Sequence, residues 1–169
     1  MRTLFSEADI KARIESLADE ILADFPKDFL LAPVLTGAFI FAADLLRALT
    51  ERGADPAVDF VQLSSYGGAR ASSGVVTLLK DFSVDLEGRS VLLVDDVLDT
   101  GRSLHFAKRM VEERGAEVAK ICVLVRKATG HSEDIVADYV GFEAGDEFLV
   151  GYGMDDAGRN RGLGYIGVV

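Results

Sequence analysis

The chain has a single cysteine, Cys122, so no internal disulfide framework can staple it, and no Cys/His spacing describes a zinc site. A reducing cytoplasm is the expected location. Basic residues are also scarce: 18 Lys and Arg against 28 Asp and Glu give a formal charge of −10, which argues against nucleic acid as a partner. The opening MRTLFSEADI lacks the apolar centre of a signal peptide. Residues 29–46 come nearest to a membrane span, but Pro33, Thr36, Gly37 and Asp44 interrupt them. They read as a buried strand, a turn and a helix, so no membrane partner is expected.

What is present suits one domain. A length of 169 residues, 49% hydrophobic and 27% charged, supports a single core spanning 1–169. SEAD at 6–9 has the form of a capping box, and Ile10, Ile14, Leu17, Ile21 and Leu22 follow at helical spacing. Residues 29–35 predict a strand and Phe39–Leu49 a helix ending near Gly53. Strand-like runs at 58–66 and 74–82 flank a Gly/Ala/Ser stretch with little to bury, expected to be a mobile loop. Val91–Val94 and 119–125 predict buried strands, separated by a helix whose Leu104, Ala107 and Val111 share one face before Gly115. Strands alternating with helices imply an α/β fold with a mostly parallel central sheet flanked by helices, and ligands beyond the carboxyl ends of the strands. The glycine-rich tail from Asp138 reads as a separate small lobe of short strands and loops.

The segment VLLVDDVLDTGRSL, residues 91–104, carries the chemistry. A buried strand that runs into a glycine turn and a helix leaves unpaired N–H groups at the helix start, where the dipole favours negative charge. Thr100 and Ser103 add hydroxyls, and Gly101 allows close backbone approach. This describes a monophosphate cradle, although neither the Walker spacing nor the dinucleotide glycine pattern is present. Asp95, Asp96 and Asp99 would repel a phosphate unless they face something else. Adjacent acids at a strand end can accept hydrogen bonds from a sugar diol, directly or through Mg²⁺, leaving Asp99 for whatever is joined at the anomeric carbon. Any one of these acids alone would be explained as a turn or N-cap residue; the whole run is not.

The same segment resembles the signature of the type I phosphoribosyltransferases. PVLTGAFIFAADLLRAL resembles their pyrophosphate-loop segment, LSSYGG the start of their flexible catalytic loop, and the tail from Asp138 the hypoxanthine-guanine branch in particular. The matches span residues 33–169 and imply the fold of that family, a mostly parallel central sheet flanked by helices with a small hood lobe from the C-terminal and N-terminal segments. The resemblance implies a purine salvage enzyme that binds phosphoribosyl pyrophosphate, Mg²⁺ and hypoxanthine or guanine in a homodimer or homotetramer. It assigns the 5-phosphate to Asp99, Thr100, Gly101, Arg102 and Ser103, and the ribose hydroxyls to Asp95 and Asp96. Asp99 becomes the general acid/base at the purine N7. Leu35, Thr36, Gly37 and Ala38 correspond to the pyrophosphate loop, which follows an unusual cis peptide in relatives, and Ser65, Tyr66 and Arg161 also reach pyrophosphate. By the same resemblance Phe148 would stack on the purine, Leu149 would hydrogen-bond its edge through the backbone, and Asp155 would lie near the base and the metal, which Asp95 and Asp96 would also serve. An ungapped match puts Val136 where relatives have the lysine that reads the 6-oxo group; Lys127 at the end of its strand is the assignment made here.

Other readings stay open at this stage: a phosphoribosyltransferase for xanthine or a pyrimidine, or a non-catalytic regulator that senses phosphoribosyl pyrophosphate. His105, His131 and Cys122 are expected to be structural or solvated.

Overall fold

The computed structural model describes residues 1–65, 75–128, 130 and 134–169. After strand β1 (Arg2–Phe5), helix α1 (Glu7–Asp24) opens on the expected capping box. Ser6 Oγ accepts from Asp9 N at 3.1 Å, and the Asp9 carboxylate accepts from Ser6 N at 3.1 Å. Strand β2 (Leu30–Leu35) leads to helix α2 (Phe39–Glu51), then to the short strands β3 (Ala57–Val58), β4 (Val61–Ser65) and β5 (Val76–Lys80). Strand β6 (Ser90–Leu98), helix α3 (Arg102–Glu113) and strand β7 (Val118–Lys127) follow. The chain finishes with β8 (Tyr139–Ala144), β9 (Leu149–Val150) and β10 (Ile166–Val168).

The main sheet runs β5-β4-β2-β6-β7-β8, with β3 beside β2; every pairing is parallel except β4–β5. Successive residues of its central strands point to opposite faces, and both faces are covered. Leu31, Leu92, Val94, Cys122 and Leu124 pack with α1 and α2, whereas Leu30, Ala32, Val91, Leu93, Ile121 and Val123 pack with Leu104, Ala107 and Val111 of α3. This two-sided burial explains why these strands read as continuous apolar runs. Among the described residues, no helix is long and apolar enough to cross a membrane.

Three expectations are corrected. The strand at 91–94 extends through the acids to Leu98, because β7 pairs with it as far as Leu98↔Arg126. The run at 58–66 breaks at Asp59, which turns inward and accepts from the N–H groups of Phe60, Ser83 and Val84 at 2.9, 2.6 and 3.2 Å. The tail is not wholly a separate lobe: β8 joins the main sheet beside β7, Cys122 opposite Tyr139. The remainder forms a small antiparallel hood in the order β1-β10-β9, the C-terminal and N-terminal hood lobe that the resemblance implied, with the N-terminus supplying an edge strand. Most of the stretch expected as a loop, with Tyr66, and His131 lie outside the described residues.

Candidate active site

The carboxyl ends of β2 and β6 lie side by side and deliver the two turns of the site. Strand β2 ends at Leu35, and the Leu35–Thr36 peptide is cis. Gly37 follows at a point where a β-carbon would overlap the Asp96 carboxylate, so the turn and the acid share one contact surface that only glycine leaves free. Phe39 N then donates to Thr36 O at 3.2 Å as α2 begins.

On β6, each acid accepts from the next backbone N–H: Asp95 Oδ1 from Asp96 N at 2.9 Å, Asp96 Oδ1 from Val97 N at 2.8 Å. Asp95 is 9% exposed. Its burial, and next the charge of Asp96, hold its carboxyl well above the usual range, and burial raises Asp96 as well. Two crowded carboxylates of this kind call for a cation or a hydrogen-bond donor from outside the chain. Beyond them, Gly101 takes a left-handed conformation, φ 84°, and starts α3, donating no side chain but accepting from His105 N at 2.8 Å. Thr100 Oγ1 accepts from Arg102 N at 3.4 Å, and Ser103 Oγ lies 3.4 Å from Ser65 Oγ across the gap to β4.

These parts border a cleft of about 720 Å³. Leu35, Thr36, Gly37, Ser65, Asp95, Asp96 and the run Asp99–Ser103 line it, together with Lys127, Phe148, Leu149 and Asp155. Lys127 is nearly buried, its side chain 11% exposed, and Nζ lies 3.2 Å from Asp99 Oδ2. Val136 is exposed and away from the cleft lining. Arg161 does not border the cleft but stands behind it: Nη1 donates to Gly153 O at 2.6 Å and Nη2 lies 3.0 Å from Asp155 Oδ1. Asp155 Oδ2 accepts from Gly158 N at 2.7 Å, fixing the carboxylate in its loop. Sequence reasoning missed Leu63, Asp146 and Met154, which also line the cleft; Met154 follows a Gly-Tyr-Gly run that was the available signal.

The phosphoribosyl transferase domain family matches residues 3–157. Over 169 residues the chain is 40% identical to the hypoxanthine-guanine phosphoribosyltransferase of Bacillus subtilis, covering 99% of this chain and 92% of that one. The chain belongs to the hypoxanthine-guanine phosphoribosyltransferase family. The Aquifex aeolicus member is 42% identical over 164 residues, 95% of this chain and 90% of its own. A crystal structure of a Bacillus anthracis member shares the fold at a TM-score of 0.92 and 39% identity, covering 100% of this chain and 98% of that one. The α/β sheet and the hood are therefore those of this family, and the fold expectation stands.

Proposed function

We propose that the chain transfers the 5-phosphoribosyl group of phosphoribosyl pyrophosphate to hypoxanthine or guanine, releasing pyrophosphate, as an enzyme of purine salvage. The observation that carries this reading is the meeting, in one cleft, of the Asp99–Ser103 turn, the Leu35–Gly37 turn and the Lys127–Asp99 pair. In it, Thr100, Gly101, Arg102 and Ser103 hold the 5-phosphate at the start of α3, where backbone N–H groups and the helix dipole meet an anion. Asp95 and Asp96 accept from the ribose hydroxyls. Leu35, Thr36 and Gly37, with Ser65 and Tyr66, take the pyrophosphate, and Arg161 acts there through Asp155.

The purine lies between Phe148 and the end of β7, its edge on the Leu149 backbone. Lys127 donates to the 6-oxo oxygen. That exchange frees Asp99 from its ion pair, and Asp99 then takes the proton from the purine N7 while another ring nitrogen of the same base bonds to C1 of the ribose and the C1–O bond to pyrophosphate breaks. The backbone dipoles around Gly37 face the oxygens on which charge accumulates as pyrophosphate departs.

The donor set suits a hard divalent cation. Asp95, Asp96 and Asp155 offer only oxygen, and among the described residues no three His, Cys, Asp or Glu side chains form a closed metal cage. Mg²⁺ is ordinarily held this way, by one or two carboxylates and substrate oxygens. When bound, it would neutralise charge on the leaving group. Assembly as a homodimer or homotetramer and a cytoplasmic location belong to the same proposal.

The test is pyrophosphate release from phosphoribosyl pyrophosphate with hypoxanthine, guanine, xanthine, adenine and uracil offered separately. Turnover with hypoxanthine or guanine is the expected result. Turnover with xanthine or uracil alone would move the specificity to another base, and no turnover with any base would overturn the enzyme reading.

A further inference from the structure

Residues Gly151–Met154 form a tight turn closed by reciprocal backbone bonds, Gly151 N to Met154 O and Met154 N to Gly151 O, both 3.0 Å. Its two central residues have positive φ, 50° at Tyr152 and 99° at Gly153, the pattern of a type I′ turn. Glycine adopts that conformation freely, but a bulky residue does so only where its surroundings hold it. Tyr152 is held from two directions. It is 7% exposed, and its hydroxyl donates to Oδ2 of Asp44 on α2. Burial, and next the hydrogen bond to Asp44, push the phenol well above its ordinary range, so the hydroxyl remains a donor at any working pH.

The position of this turn gives the bond its reach. A β-carbon at Gly153 would overlap the carbonyl oxygen of Gly37, so the turn lies directly against the pyrophosphate turn that ends β2. Gly153 is fixed on its other side as well, its N–H donating to Arg161 O at 2.9 Å and its carbonyl accepting from Arg161 Nη1. Asp44 sits on the helix that begins two residues after Gly37. The Tyr152–Asp44 bond therefore ties the hood to the same helix that carries the pyrophosphate turn, and it closes a loop of contacts through Gly153 and Gly37.

We propose that Tyr152 and Asp44 are positioning residues for pyrophosphate recognition: their hydrogen bond holds the Gly151–Met154 turn against Gly37 and so sets the shape of the turn that receives the leaving group. This rests on the salvage reading above. Neither residue borders the cleft, so neither touches substrate.

Tyr152→Phe removes the hydroxyl and keeps the ring. We expect it to weaken binding of pyrophosphate with Mg²⁺ about fivefold, read by titration calorimetry, since a hydrogen bond to a charged group is lost. KM for phosphoribosyl pyrophosphate rises in parallel and kcat changes less. Asp44→Ala gives the same loss, the double variant loses no more than either single one, and Asp44→Asn, which keeps an acceptor, recovers most of the affinity. Unchanged pyrophosphate affinity in Tyr152→Phe and Asp44→Ala, with only a lower melting temperature, would overturn the proposal and leave the bond a structural tie. Because the titration needs no purine, its outcome is separate from whether any base is turned over; failure of the unsubstituted chain to bind pyrophosphate would remove both.

Discussion

Asp99 and Lys127 meet at the ends of two neighbouring strands, with 3.2 Å between Oδ2 and Nζ. Each is the other's ionic partner, and on the proposed reading an arriving base would separate them. Asp99→Asn keeps the size and one acceptor but cannot take a proton. Turnover with hypoxanthine is expected to fall by about 10²-fold or more, with KM for phosphoribosyl pyrophosphate changed far less. Steady-state kinetics decide this, and an unaltered kcat would remove Asp99 from the proton transfer.

Lys127→Gln separates base recognition from sugar binding. A charged donor in a nearly buried position is lost, so KM for hypoxanthine should rise about 10–100-fold. Pyrophosphate affinity should stay within twofold, roughly, because the far turn is untouched. Equal losses on both substrates would place Lys127 in general support of the cleft instead.

Gly37→Ala would drive a β-carbon into the Asp96 carboxylate. The side chain can move, so the fold should survive. Its displacement, however, shifts a group assigned to the ribose, and misplacement by an ångström costs about a hundredfold in kcat/KM. Circular dichroism should be native while kcat/KM for phosphoribosyl pyrophosphate collapses.

The acids of β6 carry a stability cost that a single substitution reveals. Asp95 is buried beside Asp96, and an asparagine there still accepts from Asp96 N without bringing a second charge. In the ligand-free protein at neutral pH, Asp95→Asn should raise the melting temperature by about 2–4 °C while lowering activity, the signature of a residue kept for function. A lower melting temperature would contradict this.

A pH effect should appear at the far end of α1. Asp24 accepts from the Tyr139 hydroxyl and lies 3.2 Å from Lys120 Nζ, and the Tyr139 bond, above all, lowers its pKa. A carboxyl whose folded pKa is depressed stabilises fully above its unfolded value and loses that contribution as pH falls through the folded one. The advantage of the native chain over Asp24→Asn in melting temperature should thus hold at pH 6 and shrink below about pH 4. A difference constant from pH 6 to pH 2 would exclude this linkage.

The positions of the helices and of the buried strands were legible because period 3.6 and continuous apolar runs are local patterns. Ser6, Gly101 and Gly115 mark their boundaries by the chemistry of caps. The end of β6 was not legible, since Asp95 and Asp96 are poor strand formers; β2 pairs with β6 only as far as Val94, and β7 alone carries the pairing past the acids to Leu98. The hood was implied by the family resemblance and by no local pattern. Arg2 pairs with Val168, and no window of local sequence contains both. The candidate site followed from one compact segment, whereas the contact of Gly153 with Gly37 joins residues 116 positions apart and needed coordinates.

Strand β6 lies in the interior of the main sheet, bonded to β2 on one side and β7 on the other, while β9 contributes only two residues to a three-stranded hood. Amide exchange should divide the molecule accordingly: slowest along Val91–Asp95, faster at Leu149 and Val150, where a local opening breaks few bonds. Stiffness is then distributed unequally around one cleft. On the proposed reading, the 5-phosphate turn continues from this interior strand while Phe148 and Leu149 belong to the hood, so the two ends of the substrate would be held by parts of unequal local stability.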